Sequence, residues 1–190
     1  MATRIKVCGL KDAATAQRAS ELGADFLGIV LTQSRRQISL AQARLMMEQV
    51  PNGRFVVVGR DVDAAQLDGW LDSPAYAVQI HGHAPRDWIQ RVHGAGKMAI
   101  ATELSEEADV VLLDNPEPGS GQIRDWQVPR FRRPVWLAGG LNPDNVRHVV
   151  ENLRPDGVDV STGVEAEGEK DWGLIQRFIE EVRRGDKTST

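Results

Sequence analysis

Residues 110–126 read VVLLDNPEPGSGQIRDW. The stretch opens on Val110, Val111, Leu112 and Leu113, a short apolar run that starts with β-branched residues. Such a run fits a strand buried on both faces better than a helix. Asp114 follows at once, and then a loop, Asn115 to Gly121, with two prolines and two glycines. A buried strand that hands an acid to a glycine-bearing loop is how parallel α/β proteins build their sites. Asp also favours turns, so a plain turn role for Asp114 stands beside that reading.

The same unit recurs on both sides. Upstream, Arg4 to Cys8 reads as a strand ending at Gly9, and Asp12 to Leu22 as a helix stopped by Gly23. Phe26 to Leu31 is a second strand, followed by a polar loop that carries Arg35 and Arg36. Ser39 opens a helix with capping-box spacing to Gln42, which ends near Val50 before Pro51. Phe55 to Gly59, Ala77 to Ile80 and the weaker Lys97 to Ala101 continue the strand series, with helices at Ala64 to Leu71 and Pro85 to His93. Between Ala101 and Val110 there is room for about one helical turn, so the fifth helix is missing or vestigial.

Downstream, Val135 to Ala138 ends in Gly139-Gly140, Asn142-Pro143 starts a helix, and Gly157 to Val160 ends in Ser161-Thr162-Gly163. Asp171 to Arg184 is the last helix. Residues 1–185 read as one domain and residues 186–190 as a polar, disordered tail. Eight short strands alternating with helical stretches, with no long linker, predict an α/β chain folded as a single-domain (β/α)8 TIM barrel, short for its class. A doubly wound open sheet is the rival, and eight roughly regular units favour closure.

The totals bound the function. The chain has 190 residues, 41% hydrophobic and 26% charged, which suits one soluble domain with one core. A net charge of -4, with both signs scattered, argues against nucleic acid as a partner. Arg124, Arg130, Arg132 and Arg133 read more simply as a solvated loop than as an anion site. The single cysteine excludes an internal disulfide. No apolar run approaches the roughly 20 residues of a membrane span, and the start MATRIKVCGL is no secretory signal, so the expectation is a cytoplasmic protein without a membrane partner.

In a barrel of this kind, residues just past the strand C-termini share one mouth. Here they are Cys8, Arg36, Gly59, His81, Asp114, Gly139-Gly140 and Ser161-Thr162-Gly163. The loops with Gly119-Ser120-Gly121, Gly139-Gly140 and Ser161-Thr162-Gly163 can present bare backbone N–H groups, the usual phosphate site of such barrels. Serving turns is the plainer role of those glycines. Cys8 and Asp114, from strands one and six, can stand on opposite sides of a phosphate-anchored substrate as proton acceptor and donor. Most free cysteines are simply small buried hydrophobes, and that alternative stays open for Cys8. His81 and His83 form an HxH pair with no third ligand at an obvious spacing, so no metal site is expected.

The residues resemble the phosphoribosylanthranilate isomerase family of tryptophan biosynthesis. The resemblance rests on Lys6-Val7-Cys8-Gly9, Gly23-Ala24-Asp25 with Gly28, Ser34 to Ser39 with Arg36, and Val78 to Gly82. It continues through Leu112-Leu113-Asp114, Gly119-Ser120-Gly121 with Asp125-Trp126, Leu137 to Pro143, and Asp159 to Glu165 with Lys170-Asp171.

The resemblance implies a (β/α)8 barrel without metal or cofactor, acting on a small phosphosugar as a monomer or homodimer. It implies an Amadori rearrangement of N-(5-phosphoribosyl)anthranilate. By position, Asp114 would be the general acid that opens the ribose ring, and Cys8 the general base that takes the C2 proton. Arg36 would orient the anthranilate carboxylate, His81 would line the substrate site, and the glycine loops would hold the phosphate. Those roles call for a raised pKa at Asp114 and a lowered one at Cys8, with Lys6 on the same strand face to help. Departures from the family pattern are Leu31, Arg35, Arg60-Asp61 and Gln122, which remove apolar and aromatic surface near the mouth. A barrel with a changed phosphosugar substrate and a catalytically silent paralogue are the competing readings.

Overall fold

The computed structural model describes residues 2–102, 104–114 and 131–188. Eight parallel strands form the frame: β1 (Arg4–Cys8), β2 (Phe26–Val30), β3 (Phe55–Arg60), β4 (Ala77–His81), β5 (Met98–Ala101), β6 (Val110–Asp114), β7 (Val135–Ala138) and β8 (Gly157–Val160). Each pairs with the next, and β8 pairs back onto β1 with Lys6 opposite Asp159. That last ladder closes the sheet and removes the open-sheet rival. Around it lie α1 (Ala13–Leu22), α2 (Leu40–Gln49), α3 (Ala64–Leu71), α4 (Arg86–Gly94), α5 (Val146–Leu153) and α6 (Trp172–Thr188). Among the described residues, none between β5 and β6 is helical, in line with the missing fifth helix.

Local chemistry sets most of these boundaries. Asp12 caps α1 through the Thr15 N–H, and Gly23 ends it in a left-handed conformation. Ser39 with Gln42, and Asp63 with Gln66, form full capping boxes on α2 and α3. Two helix ends differ from the sequence reading by more than one residue. The α5 helix begins at Val146 rather than at Pro143, because the Asn142 side chain accepts from the N–H groups of Asp144 and Asn145 and holds a turn there first. The α6 helix runs on through Thr188, into the stretch read as a disordered tail. Asp186 anchors it by accepting from the Thr3 backbone at 3.1 Å and the Thr3 hydroxyl at 2.6 Å.

Alternation along the strands sorts side chains into two packed layers. Ile5, Val7, Leu27, Ile29, Val57, Val78, Ile80, Leu137 and Val158 face the helices in the larger core. Phe26, Val56, Ala77, Ile100, Val110, Leu112 and Trp136 fill the barrel interior. The same inward rows carry Lys6, Gln79 and Asp159, all buried. After β8 the chain makes a 3-10 turn (Thr162–Val164) and a small hairpin, β9 (Glu165–Ala166) with β10 (Glu169–Lys170), which the sequence reading did not anticipate.

Candidate active site

The strand C-termini open onto one cavity of about 230 Å³. Cys8 from β1, His81 from β4, Asp114 from β6 and Arg36 from the β2–α2 loop all line it. So do Gly139 and Gly140 after β7, and Ser161, Thr162 and Gly163 after β8. The third glycine loop, Gly119, Ser120 and Gly121, lies outside the described residues. Asp114, the last residue of β6, is exposed and stands in register with Ala138.

Cys8 sits over Gly28 of β2. A β-carbon at Gly28 would come within 2.8 Å of the thiol sulfur, so a side chain there would displace the thiol. Beneath it, the fully buried Lys6 places Nζ 2.8 Å from Asp159 Oδ2. Burial alone would lower the Lys6 pKa, but the charges of Asp159 and Cys8 outweigh it and hold the ammonium form. Cys8 departs from the expectation of a lowered pKa. Burial pushes the thiol up, and the pull of Lys6 offsets this only in part. A buried thiol therefore stands beside a buried lysine–aspartate ion pair.

A second network lies at the rim. Glu165 accepts from Arg36 Nε at 2.5 Å, Arg36 Nη2 at 2.9 Å, Arg35 Nη2 at 2.6 Å and Lys170 Nζ at 2.7 Å. Burial alone would raise the Glu165 pKa, but the hydrogen bonds from Arg36 and Lys170 bring it down to about 2. Arg36 also donates to Thr162 at 3.0 Å, and its side chain lies across Gly9. The guanidinium is thus fixed before any ligand arrives.

Lys170 donates to the Ser161 carbonyl at 2.9 Å, and Ser161 donates to the Cys8 carbonyl at 3.0 Å, which ties the loop after β8 to the end of β1. On the opposite side, Arg60 contacts the His81 ring. Burial, followed by the Arg60 charge, lowers the His81 pKa and keeps the imidazole neutral.

The glycine loops after β7 and β8 have a matching geometry. Gly139 and Gly140 both take positive φ, 84° and 75°, which L side chains resist. Gly163 packs so tightly on the preceding loop that a β-carbon would lie 1.9 Å from the Leu141 carbonyl oxygen. Two loops of bare backbone are thereby interlocked beside the cavity.

The family model described as "N-(5'phosphoribosyl)anthranilate (PRA) isomerase" matches residues 5–181. The N-(5'-phosphoribosyl)anthranilate isomerase of Streptococcus gordonii is 36% identical over 193 residues, covering 96% of this chain and 99% of that protein. The chain belongs to the N-(5'-phosphoribosyl)anthranilate isomerase family. Among solved structures, the Thermotoga maritima phosphoribosyl anthranilate isomerase superposes with a TM-score of 0.83 at 31% identity, covering 96% of this chain and 99% of that one. A phosphoribosyl anthranilate isomerase in complex with reduced 1-(o-carboxyphenylamino)-1-deoxyribulose 5-phosphate matches with a TM-score of 0.82 at 32% identity, over 96% of this chain and 99% of that one.

Within this isomerase barrel, the sequence reading passed over Gln79, Asp159, Glu165 and Lys170 as site residues. A polar residue between Val78 and Ile80 in an otherwise apolar strand was the available sign for Gln79. Glu165 ends one of the segments that carry the resemblance, but its role was hidden because it meets Arg36 only through the closed ring.

Proposed function

We propose that this chain catalyses the Amadori rearrangement of N-(5'-phosphoribosyl)anthranilate to 1-(2-carboxyphenylamino)-1-deoxyribulose 5-phosphate in tryptophan biosynthesis. Asp114 gives its proton to the ribose ring oxygen as the C1–O bond breaks, and the anthranilate nitrogen supplies the electron pair that makes the iminium. Cys8, as thiolate, takes the C2 proton. The resulting enaminol gains a proton at C1 and loses one from the C2 hydroxyl to give the ketone. The backbone around Gly139-Gly140 and Ser161-Thr162-Gly163 holds the phosphate, His81 lines the sugar site, and Arg36, braced by Glu165, faces the anthranilate carboxylate.

The observation that carries this reading is the convergence of Cys8, Asp114 and two interlocked glycine loops on one cavity at the strand C-termini. The cavity offers a raised thiol, so the base step depends on Lys6 and on substrate binding to favour the thiolate. The ligand in this reading is a small phosphosugar, the protein acts in the cytoplasm, and the acting unit is a monomer or homodimer.

Complementation of a tryptophan auxotroph lacking this step, followed by a fluorescence assay of the purified protein, tests the reading. Growth and turnover are the expected results. Failure of both removes it.

A further inference from the structure

Arg60 and His81 top neighbouring rows of the barrel interior. On β3, Val56 and Val58 face inward, and Arg60 follows two residues on. On β4, Ala77 faces inward, and His81 follows four residues on. The two are register partners across the β3–β4 ladder. Arg60 Nη2 meets the His81 ring at Nε2, and the ring makes no other hydrogen bond among the described residues. The arm that carries the guanidinium is fixed at its base. The Arg60 N–H donates to Thr32 Oγ1 at 2.9 Å. Gly59, just before it, packs so closely on α3 that a β-carbon would lie 2.2 Å from the Trp70 ring. Asp61, just after it, takes a left-handed backbone with φ 50°. No carboxylate competes for the guanidinium. Arg35 and Arg36 are both paired with Glu165, whereas Arg60 enters no ion pair among the described residues.

This contact decides where the His81 proton sits. A guanidinium has five N–H donors and no acceptor, and it does not lose its proton in proteins. Nε2 must therefore accept, and a neutral imidazole that accepts at Nε2 carries its proton on Nδ1. The charge of the ring is set from the same side. Burial first, then Arg60 and Lys6, disfavour the imidazolium, and Asp61 and Asp159 favour it. Lys6 on β1 and Asp159 on β8 are bound to each other and offset one another. Arg60 is the cation that remains against the ring. His81 lines the cavity, so a ligand there meets a ring whose acceptor is already taken.

We propose that Arg60 is a positioning residue that holds His81 as a neutral Nδ1–H imidazole, so that the β4 side of the cavity presents one fixed N–H donor. The inference goes beyond the isomerase reading, because it gives a task to a residue that departs from the family pattern. It rests on that reading only for the kinetic part of its test.

The test reads the ring nitrogens by long-range proton–nitrogen correlation NMR of nitrogen-15-labelled protein, with His81→Gln to assign the signal among the four histidines. In the unsubstituted protein His81 should be protonated at Nδ1 and bare at Nε2 above neutrality, and mostly in that form still at pH about 6.5, the ordinary imidazole midpoint. Arg60→Met should gain Nε2–H character, and its ring should titrate at higher pH. Arg60→Lys, whose ammonium is also a donor only, should keep the proton on Nδ1. For N-(5'-phosphoribosyl)anthranilate, Arg60→Met should raise KM about tenfold over the unsubstituted protein above neutrality, the scale of one lost hydrogen bond. That ratio should shrink as pH falls, because the imidazolium regains a proton on Nδ1, and kcat should change less than KM.

A His81 ring protonated at Nε2 in the unsubstituted protein overturns the proposal. So do unchanged ring signals in a folded Arg60→Met, or a KM ratio that does not vary with pH. Should Arg60→Met not fold, the unsubstituted protein and Arg60→Lys decide. Absence of turnover with the ring signals as expected removes only the isomerase reading.

Discussion

The two ends of the barrel interior are built from the same strands by opposite means. At the N-terminal end, Phe26 and Trp136 pack with ring centroids 4.9 Å apart, among Ala77, Val56 and Val110. At the C-terminal end, two or four residues further along those rows, stand Gln79, Asp114 and Asp159. Each end also relies on a strand glycine, for different guests. Gly157 leaves room for the Trp136 indole, which a β-carbon would approach to 2.6 Å, whereas Gly28 leaves room for the Cys8 thiol. The floor stabilises by excluding water from rings, and the mouth carries charged and amide groups, among them the buried Lys6–Asp159 ion pair. Stability and chemistry are thus separated by a few ångströms along one set of strands.

Substitutions at each end should break or sharpen that contrast. At the mouth, Cys8→Ala and Asp114→Asn are each expected to lower kcat by about 10²–10⁴-fold with little change in melting temperature. Cys8→Ser should be nearly as damaging as Cys8→Ala, since a hydroxyl is far too weakly acidic to serve as the base near neutral pH. A Cys8→Ser enzyme with undiminished kcat would make the thiol a space-filler and erase the distinction. At the floor, Trp136→Ala should cost about 3–5 kcal/mol of stability in urea unfolding and leave kcat nearly unchanged.

The two glycines give a smaller and more pointed comparison. Gly157→Ala and Gly28→Ala should each cost about 1–3 kcal/mol by overpacking. Only Gly28→Ala should also depress kcat, because the atom it crowds is the Cys8 sulfur. Equal kinetic effects from both would show that floor and mouth are mechanically coupled.

The pH dependence should report on the mouth. Glu165 has its pKa lowered from 4.5 to about 2, so the stability that its pairing contributes is present above pH 4.5 and lost as pH falls towards 2. Urea midpoints measured across that window should fall less steeply in Glu165→Gln than in the unsubstituted protein. Burial holds the Cys8 thiol above its ordinary value of about 8.5, so kcat/KM should climb with pH above neutrality. A profile already flat from pH 6 upward would mean that Lys6 dominates over burial at the thiol.

Strand order, helix caps and the roster at the strand ends were legible in the sequence because each depends on neighbours within a few residues. Val110 to Asp114 announces a buried strand, Ser39 and Gln42 a cap, and Gly139-Gly140 a turn whatever the rest of the chain does. The seat of the cysteine, its charge environment and the bracing of Arg36 were not legible. Lys6 reaches Asp159 across 153 residues and Arg36 reaches Glu165 across 129, and both meetings exist only because β8 closes onto β1. Asp186 anchors the last helix to Thr3 in the same way, across 183 residues. The direction of the Cys8 shift was decided by tertiary structure for the same reason. Residue types alone put a lysine near a thiol, but only the closed barrel sets how far water is excluded from it, and at this site exclusion outweighs attraction.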